Sequence, residues 1–193
     1  MTVPLYRMLF LIGCLLFTGC AVHPVLPGKM IIAPYGQQLK SCGKSLQIGK
    51  VQMVEAFNDR NYPAWNFETE FIPPLRTALT QSMKNSGLFE KIIPSGNADF
   101  VLDVQVDFRT GTQYSFRGGF PAVGSKISNF YTFYYVLKSR ADNRTAFECV
   151  IEKGCPIDKK VPLTSRLARN SEIIVKANVG EFLIKLAKHL EKL

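Results

Sequence analysis

Histidine is nearly absent from this chain. His23 and His189 are the only two, and no second ligand lies at metal spacing from either. Neither is an obvious base for nucleophilic catalysis, and no motif surrounds any serine. Acidic residues are scarce as well, 15 against 24 basic ones. Long apolar runs are missing: the uncharged stretch from Met8 to Phe17 is shorter than the roughly 20 residues of a membrane-spanning helix, and nothing later approaches that length. The segment from Gly119 to Lys126 superficially resembles a phosphate-binding loop. Its order is Gly-Ser-Lys rather than Gly-Lys-Ser/Thr, and it leads into an aromatic strand instead of a helix N-terminus. These absences speak against an enzyme, a resident metal or cofactor, and a spanning protein.

What is present begins at the N-terminus. Arg7, the apolar run, and Thr18-Gly19-Cys20 follow the three-part layout of an export signal. Phe17-Thr18-Gly19-Cys20 resembles a lipobox, with Phe17 where that family usually has Leu, Val or Ile. Leu11-Ile12-Gly13-Cys14 fits the motif literally, but cleavage there leaves a very short signal and strands Leu15, Leu16 and Phe17 outside the removed part. Lipidation is therefore expected on Cys20, against an ordinary signal cut near Ala21 or an uncleaved anchor. The resemblance implies a Gram-negative envelope lipoprotein carrying palmitate. Ala21, rather than Asp, after the cysteine implies the outer membrane, with the domain facing the periplasm.

The expected organisation is a signal over 1–19, a lipidated cysteine and extended tether over 20–46, and one domain over 47–193. The tether reading rests on Pro24, Pro27, Pro34, Gly28, Gly36 and Gly43, which leave no periodicity. The signal holds one cation and no acidic residue, so the mature part keeps a net charge of +8. That balance suits anionic partners such as lipid headgroups; nucleic acid does not fit an exported protein. Three cysteines remain beyond Cys20. A bridge between Cys149 and Cys155, or one using Cys42, is open in an oxidising compartment.

Within the domain, residues 50–57 alternate as a first strand. Phe67, Phe71, Leu75, Ala78, Leu79 and Met83 form a helical stripe. Pro73-Pro74 predicts a regular helix starting there, a separate turn over 65–71, and an end at Gly87. Leu88–Ile93 reads as a short strand. Phe100, Leu102, Val104, Val106 and Phe108 alternate with polar neighbours, the pattern of a strand with one buried face. Residues 130–138 and 145–152 are further strands, with Phe147, Cys149 and Ile151 facing in. Lys153–Pro162 reads as a loop, and a helix from Leu163 or Asn170 runs to the end. The expected fold is α+β: a two-layer sandwich with a mostly antiparallel sheet of about four strands and two helices on one face.

Two features suggest contact surfaces. Arg109–Asn129 reads as a long glycine-rich loop carrying Tyr114, Phe116, Arg117, Phe120 and Lys126. Aromatics beside cations suit an interface, and folding back over the sheet edge is the alternative. Residues 130–135 are aromatic on both faces, so one face is expected to be open.

The order of Val51–Phe57, Leu75–Met83, Ser86–Phe89 and Ala98–Leu102 resembles the periplasmic domains of small Gram-negative lipoproteins. These are the curli-secretion type, the lipopolysaccharide-assembly type and the auxiliary lipoproteins of envelope transporters. The resemblance covers roughly 48–193 and implies no catalytic residue. It implies a subunit or adaptor of an envelope assembly, transport or secretion complex, working through protein partners and held to the membrane by its lipid. The alternative is a carrier of lipopolysaccharide or another anionic lipid.

Overall fold

The computed structural model describes residues 24–33, 39–54, 66–113, 116–117, 120–121, 126–156 and 163–192. Short helix α1 spans Pro27–Met30, β1 Ser45–Met53, α2 Ile72–Ser86, β2 Lys91–Ile93 and β3 Phe100–Gln113. Strands β4 (Phe116–Arg117) and β5 (Phe120–Pro121) form a small pair of their own. Then come β6 (Lys126–Ser139), β7 (Thr145–Pro156) and α3 (Leu163–Leu190).

The main sheet has five strands in the order β2-β1-β3-β6-β7. The α+β class is as expected; the strand count and direction are not. β1 is parallel to both β2 and β3, and only β3-β6-β7 is antiparallel. Alternation reports which face a side chain takes, not the direction of the neighbouring strand. The direction comes from the connections. α2 carries the chain back so that β2 runs parallel to β1, as a helical crossover does. β2 has only three residues, so residues 94–99 can return and place β3 on the other side of β1. Asp99 locks that return: its carboxylate accepts the Ser45 N–H at 2.8 Å and the Ser45 hydroxyl at 2.6 Å.

Register aligns the inner face into rows: Ile48–Leu102–Leu137–Phe147, Val51–Val104–Tyr135–Cys149, and Met53–Val106–Phe133–Ile151. α2 and α3 cover these rows. α2 starts where its prolines allow, with both in the first turn, and ends at Gly87, whose φ of 68° suits a residue without Cβ. The separate turn appears as a π turn over Phe67–Phe71. It delivers Phe67 and Phe71 into an aromatic cluster with Phe108 and Tyr131, at centroid separations of 4.8–6.5 Å. α3 begins at Leu163, the earlier of the two expected starts. It stacks Phe182 on Tyr135 at 4.0 Å.

Two buried polar links fix α3 on the sheet. The Tyr131 and Ser171 hydroxyls lie 2.6 Å apart. The Tyr135 hydroxyl donates to Asn178 Oδ1 at 2.8 Å, and Asn178 Nδ2 donates to the Ile151 carbonyl at 2.9 Å. The second link closes a backbone acceptor on β7, the outermost described strand of that side.

The chain before β1 does not hang free over its described part. Val25 and Met30 are buried, Met30 completely. The Leu26 N–H donates to Glu172 at 3.0 Å, and the Ile32 N–H to the Ser82 hydroxyl at 3.0 Å. Asn85 Nδ2 donates to the Ile32 carbonyl at 2.8 Å. Residues 24–33, expected as extended tether, are thus a strap laid across α2 and α3. Proline and glycine removed the periodicity, but Val25, Met30 and Ile32 still had apolar groups to bury.

Instead of the expected bridge, Cys42, Cys149 and Cys155, the cysteines among the described residues, are free thiols. Cys149 and Cys155 sit six residues apart on one strand, about 20 Å in extended chain, whereas a bridge needs Cα atoms within about 7 Å. Cys42 lies toward the other side of the sheet, its N–H bonded to the Leu88 carbonyl at 3.0 Å. Burial pushes the Cys149 thiol up to about 11, opposed by Lys185 and aided by Glu181. At pH 8 its thiolate fraction should be roughly a few hundredfold below that of an ordinary thiol. Without reductant, the denatured mature chain should alkylate at Cys42, Cys149 and Cys155. In the native chain Cys149 should react slowest; a mass two hydrogens short would contradict this arrangement.

Candidate protein-interaction face

The sheet has a second, outer face, and its composition follows from the same register. Because Tyr131, Phe133 and Tyr135 pair with Phe108, Val106 and Val104 on the inner side, Phe130, Thr132 and Tyr134 must point outward. Tyr134 sits in the row Gln52–Gln105–Tyr134–Val150. Tyr134 is 37% exposed and Val150 57%, whereas the inner-row residues of β1, β3 and β6 are all buried. An apolar centre flanked by neutral amides costs little to desolvate, as an interface core requires.

On either side of this row the outer face is tied down by ion pairs. Toward β3's start, Lys138 Nζ reaches Asp103 at 2.9 Å. The other Asp103 oxygen accepts the Lys50 N–H at 2.8 Å. This braces the irregularity in β1 between Ile48 and Val51. Arg76 of α2 completes it by donating to the Ile48 and Gly49 carbonyls, both at 2.8 Å. The carboxylates of Asp99, just before β3, and of Asp103 on it are therefore both engaged in structure.

Toward the far end, Arg109 donates to Glu152 at 2.7 Å and lies 5.1 Å from the centre of the Phe130 ring. Thr132 donates to the same Glu152 oxygen at 3.1 Å. The ring lies against Gly154 on one side and Gly111 on the other; a Cβ at Gly154 would come within 2.7 Å of it. Glycine there is a matter of close approach rather than of backbone freedom.

The residues expected in a long loop are placed differently. β3 and β6 stay paired without a break from Phe100↔Ser139 to Gln113↔Lys126. Much of 109–129 is therefore hairpin arm, since Arg109–Gln113 pair one by one with Phe130–Lys126. Lys126 begins β6, and the register pairs Phe116 with Pro121 and Arg117 with Phe120. Tyr114 lies outside the described residues, as does Cys20. Cys42, Cys149 and Cys155 are not brought together. Tyr134 and Val150 are not marked as a pair by the sequence. Their signal was the double-faced aromatic run, but the choice of outward face needed the β3 register.

Among the described residues no group of three His, Cys, Asp or Glu side chains gathers as for a metal, and no helix is long and apolar enough to cross a membrane.

With this architecture the chain can be set beside known proteins. No family model matches it, and neither does any curated protein. Its fold is a known one. The chain is similar to a Xanthomonas campestris protein of the DUF330 family, with a TM-score of 0.57 and 13% identity over 83% of this chain and 93% of that one. It is also similar to a protein named as a homolog of neuraminyllactose-binding hemagglutinin from Helicobacter pylori. There the TM-score is 0.52, with 11% identity over 83% of this chain and 96% of the other. At a TM-score of 0.46 and 10% identity it is similar to a minor lipoprotein from Acinetobacter baumannii, over 75% of this chain and 93% of that one. At such identities the likeness to the first two is one of fold.

Proposed function

We propose that this chain is a non-enzymatic outer-membrane lipoprotein, anchored through Cys20, that serves as an adaptor or subunit of an envelope assembly, transport or secretion complex. Its partner contact is made by the outer sheet face and the end of the β3–β6 hairpin. The observation that carries this reading is the row around Tyr134 and Val150. It is an apolar patch on a rigid five-stranded sheet whose other face already holds the whole core. Tyrosine is well suited to such a site because it combines large contact area with low conformational cost.

The test is residue-specific photocrosslinking in the native cell. A crosslinking side chain at position 134 or 150 should give the same discrete adduct, and one at exposed Lys188 should not. Tyr134→Arg with Val150→Arg should abolish the complex with little change in thermal stability. Replacing Tyr114, Phe116 and Phe120 together by Ala should weaken it. No adduct from either sheet position, or one equally strong from Lys188, would sink the proposal.

A further inference from the structure

We infer that the face formed by α1 and the first half of α3 is a docking surface for anionic phospholipid headgroups, acting as a second membrane contact beside the lipid. The inference rests on the lipidation reading above. Pro24 lies beside Thr69 and Pro73 at one end of the helix layer. Three residues lie between it and Cys20, four steps of the chain, so the anchor can be no farther than about 14 Å away along fully extended chain. Whatever surface surrounds this end of the strap is held close to the bilayer.

That surface has the chemistry of an interface. Arg169, Ile173 and Lys176 follow one another at helical spacing on the exposed side of α3. With Lys29 and Glu172 they line a groove of about 540 Å3. Ile173 is 51% exposed and Leu26, at the start of α1, 44% exposed. These two apolar side chains stand among three cations.

The one carboxylate, Glu172, is turned inward and spent. Its side chain is 8% exposed, accepting the Leu26 N–H and pairing with Lys29 at 3.5 Å. It pins the strap so that Leu26 and Lys29 share a side with α3. Among the described residues, Arg169 and Lys176 have no ion-pair partner. Cations that reach phosphate while apolar side chains enter the headgroup boundary are the usual arrangement of an interfacial helix.

A single acyl signal binds weakly and reversibly, and a basic patch is the common second signal. The rival basic cluster, Lys185, Lys188 and Lys192 beside Phe147 and Cys149, lies toward the other end of α3. Position 188 is about 22 Å of helix beyond Ile173, away from the anchored end.

The experiment uses the mature chain, residues 20–193 with Cys20→Ser, which contains every described residue and carries no lipid. Its partitioning is measured by sedimentation with vesicles of neutral phosphatidylcholine, alone or with phosphatidylglycerol. Binding is expected to need the anionic lipid and to fall as salt rises. Neutralising Lys29, Arg169 and Lys176 to Gln should lower partitioning about fivefold per cation, on the order of a hundredfold together. Neutralising Lys84, Lys188 and Lys192 should lower it far less.

Should Lys29→Gln unseat α1, seen as lost thermal stability, Arg169→Gln with Lys176→Gln keeps the test, with an expected loss on the order of 25-fold. Ile173→Ser should weaken binding without changing its salt dependence. Equal losses from both triple variants, or equal binding to neutral and anionic vesicles, overturn the inference. The anchor itself is read separately. Cys20→Ala in the full chain should abolish palmitate labelling. Persistence of label overturns the anchor and the placement built on it, while the lipid-free vesicle series decides the surface.

Discussion

Asn178→Ala should destabilise the domain by about 3–5 kcal/mol, the sum expected for two buried polar groups left without partners. The side chain is fully buried, and its two ends do different jobs. Oδ1 accepts the Tyr135 hydroxyl from the middle of the sheet, and Nδ2 satisfies the Ile151 carbonyl on the outermost strand. No water can easily replace either, because Phe182 stacks over Tyr135 at 4.0 Å and closes that side. For a domain of this size the loss corresponds to roughly 6–20 °C in Tm.

The double variant Asn178→Ala with Tyr135→Phe separates the two ends. Removing the hydroxyl removes one orphan, so the double variant should be more stable than Asn178→Ala alone, by about 1–2 kcal/mol. Calorimetry on the four proteins of this cycle measures it. Additive losses would mean that the two residues do not share a bond in solution.

Met30→Ala should cost about 2–5 kcal/mol, as for a buried methionine whose cavity cannot collapse. A residue in a free tether would change stability by no more than a few tenths of a kcal/mol. Met30 is wholly enclosed between α2 and α3, and the strap around it is hydrogen-bonded to both helices. Thermal unfolding of the single variant distinguishes a strap from a leash. Truncation to residue 34 should cost more still, since it also uncovers the seam between the helices and leaves Glu172 without the Leu26 N–H and Lys29.

Elements set by local chemistry were legible from the chain. The alternation of Phe100–Phe108 specified the inner face of β3, since a strand slipped by one residue would put Asp103 and Asp107 in the core. Pro73, Pro74 and Gly87 marked both ends of α2, because each is tolerated at only a few helix positions. What failed was non-local. Nothing in Val51 or Val104 says that their strands run parallel; that depends on α2 and on the brevity of β2. The hairpin arm over 109–113 and 126–129 was hidden by Gly111 and the mixed polarity of its partners. Gly111 reads as a loop signal, yet Phe130 covers it. The disulfide expectation failed because cysteine spacing along a chain carries no distance until the conformation is known. Once β7 is a strand, six residues are too far.

The strap makes the domain two-sided. A chain that entered through the sheet would leave its outer face crowded by whatever held it. Here the chain arrives over the helices, on the opposite layer from Tyr134 and Val150. A pull at the N-terminal end is taken by Glu172, Ser82 and Asn85, all on the helical side, and the sheet is not part of that path. The fold thus separates the side that is held from the side that is shown. A partner can bind or leave the exposed row without disturbing the grip, and the grip can be strengthened or loosened without reshaping the row.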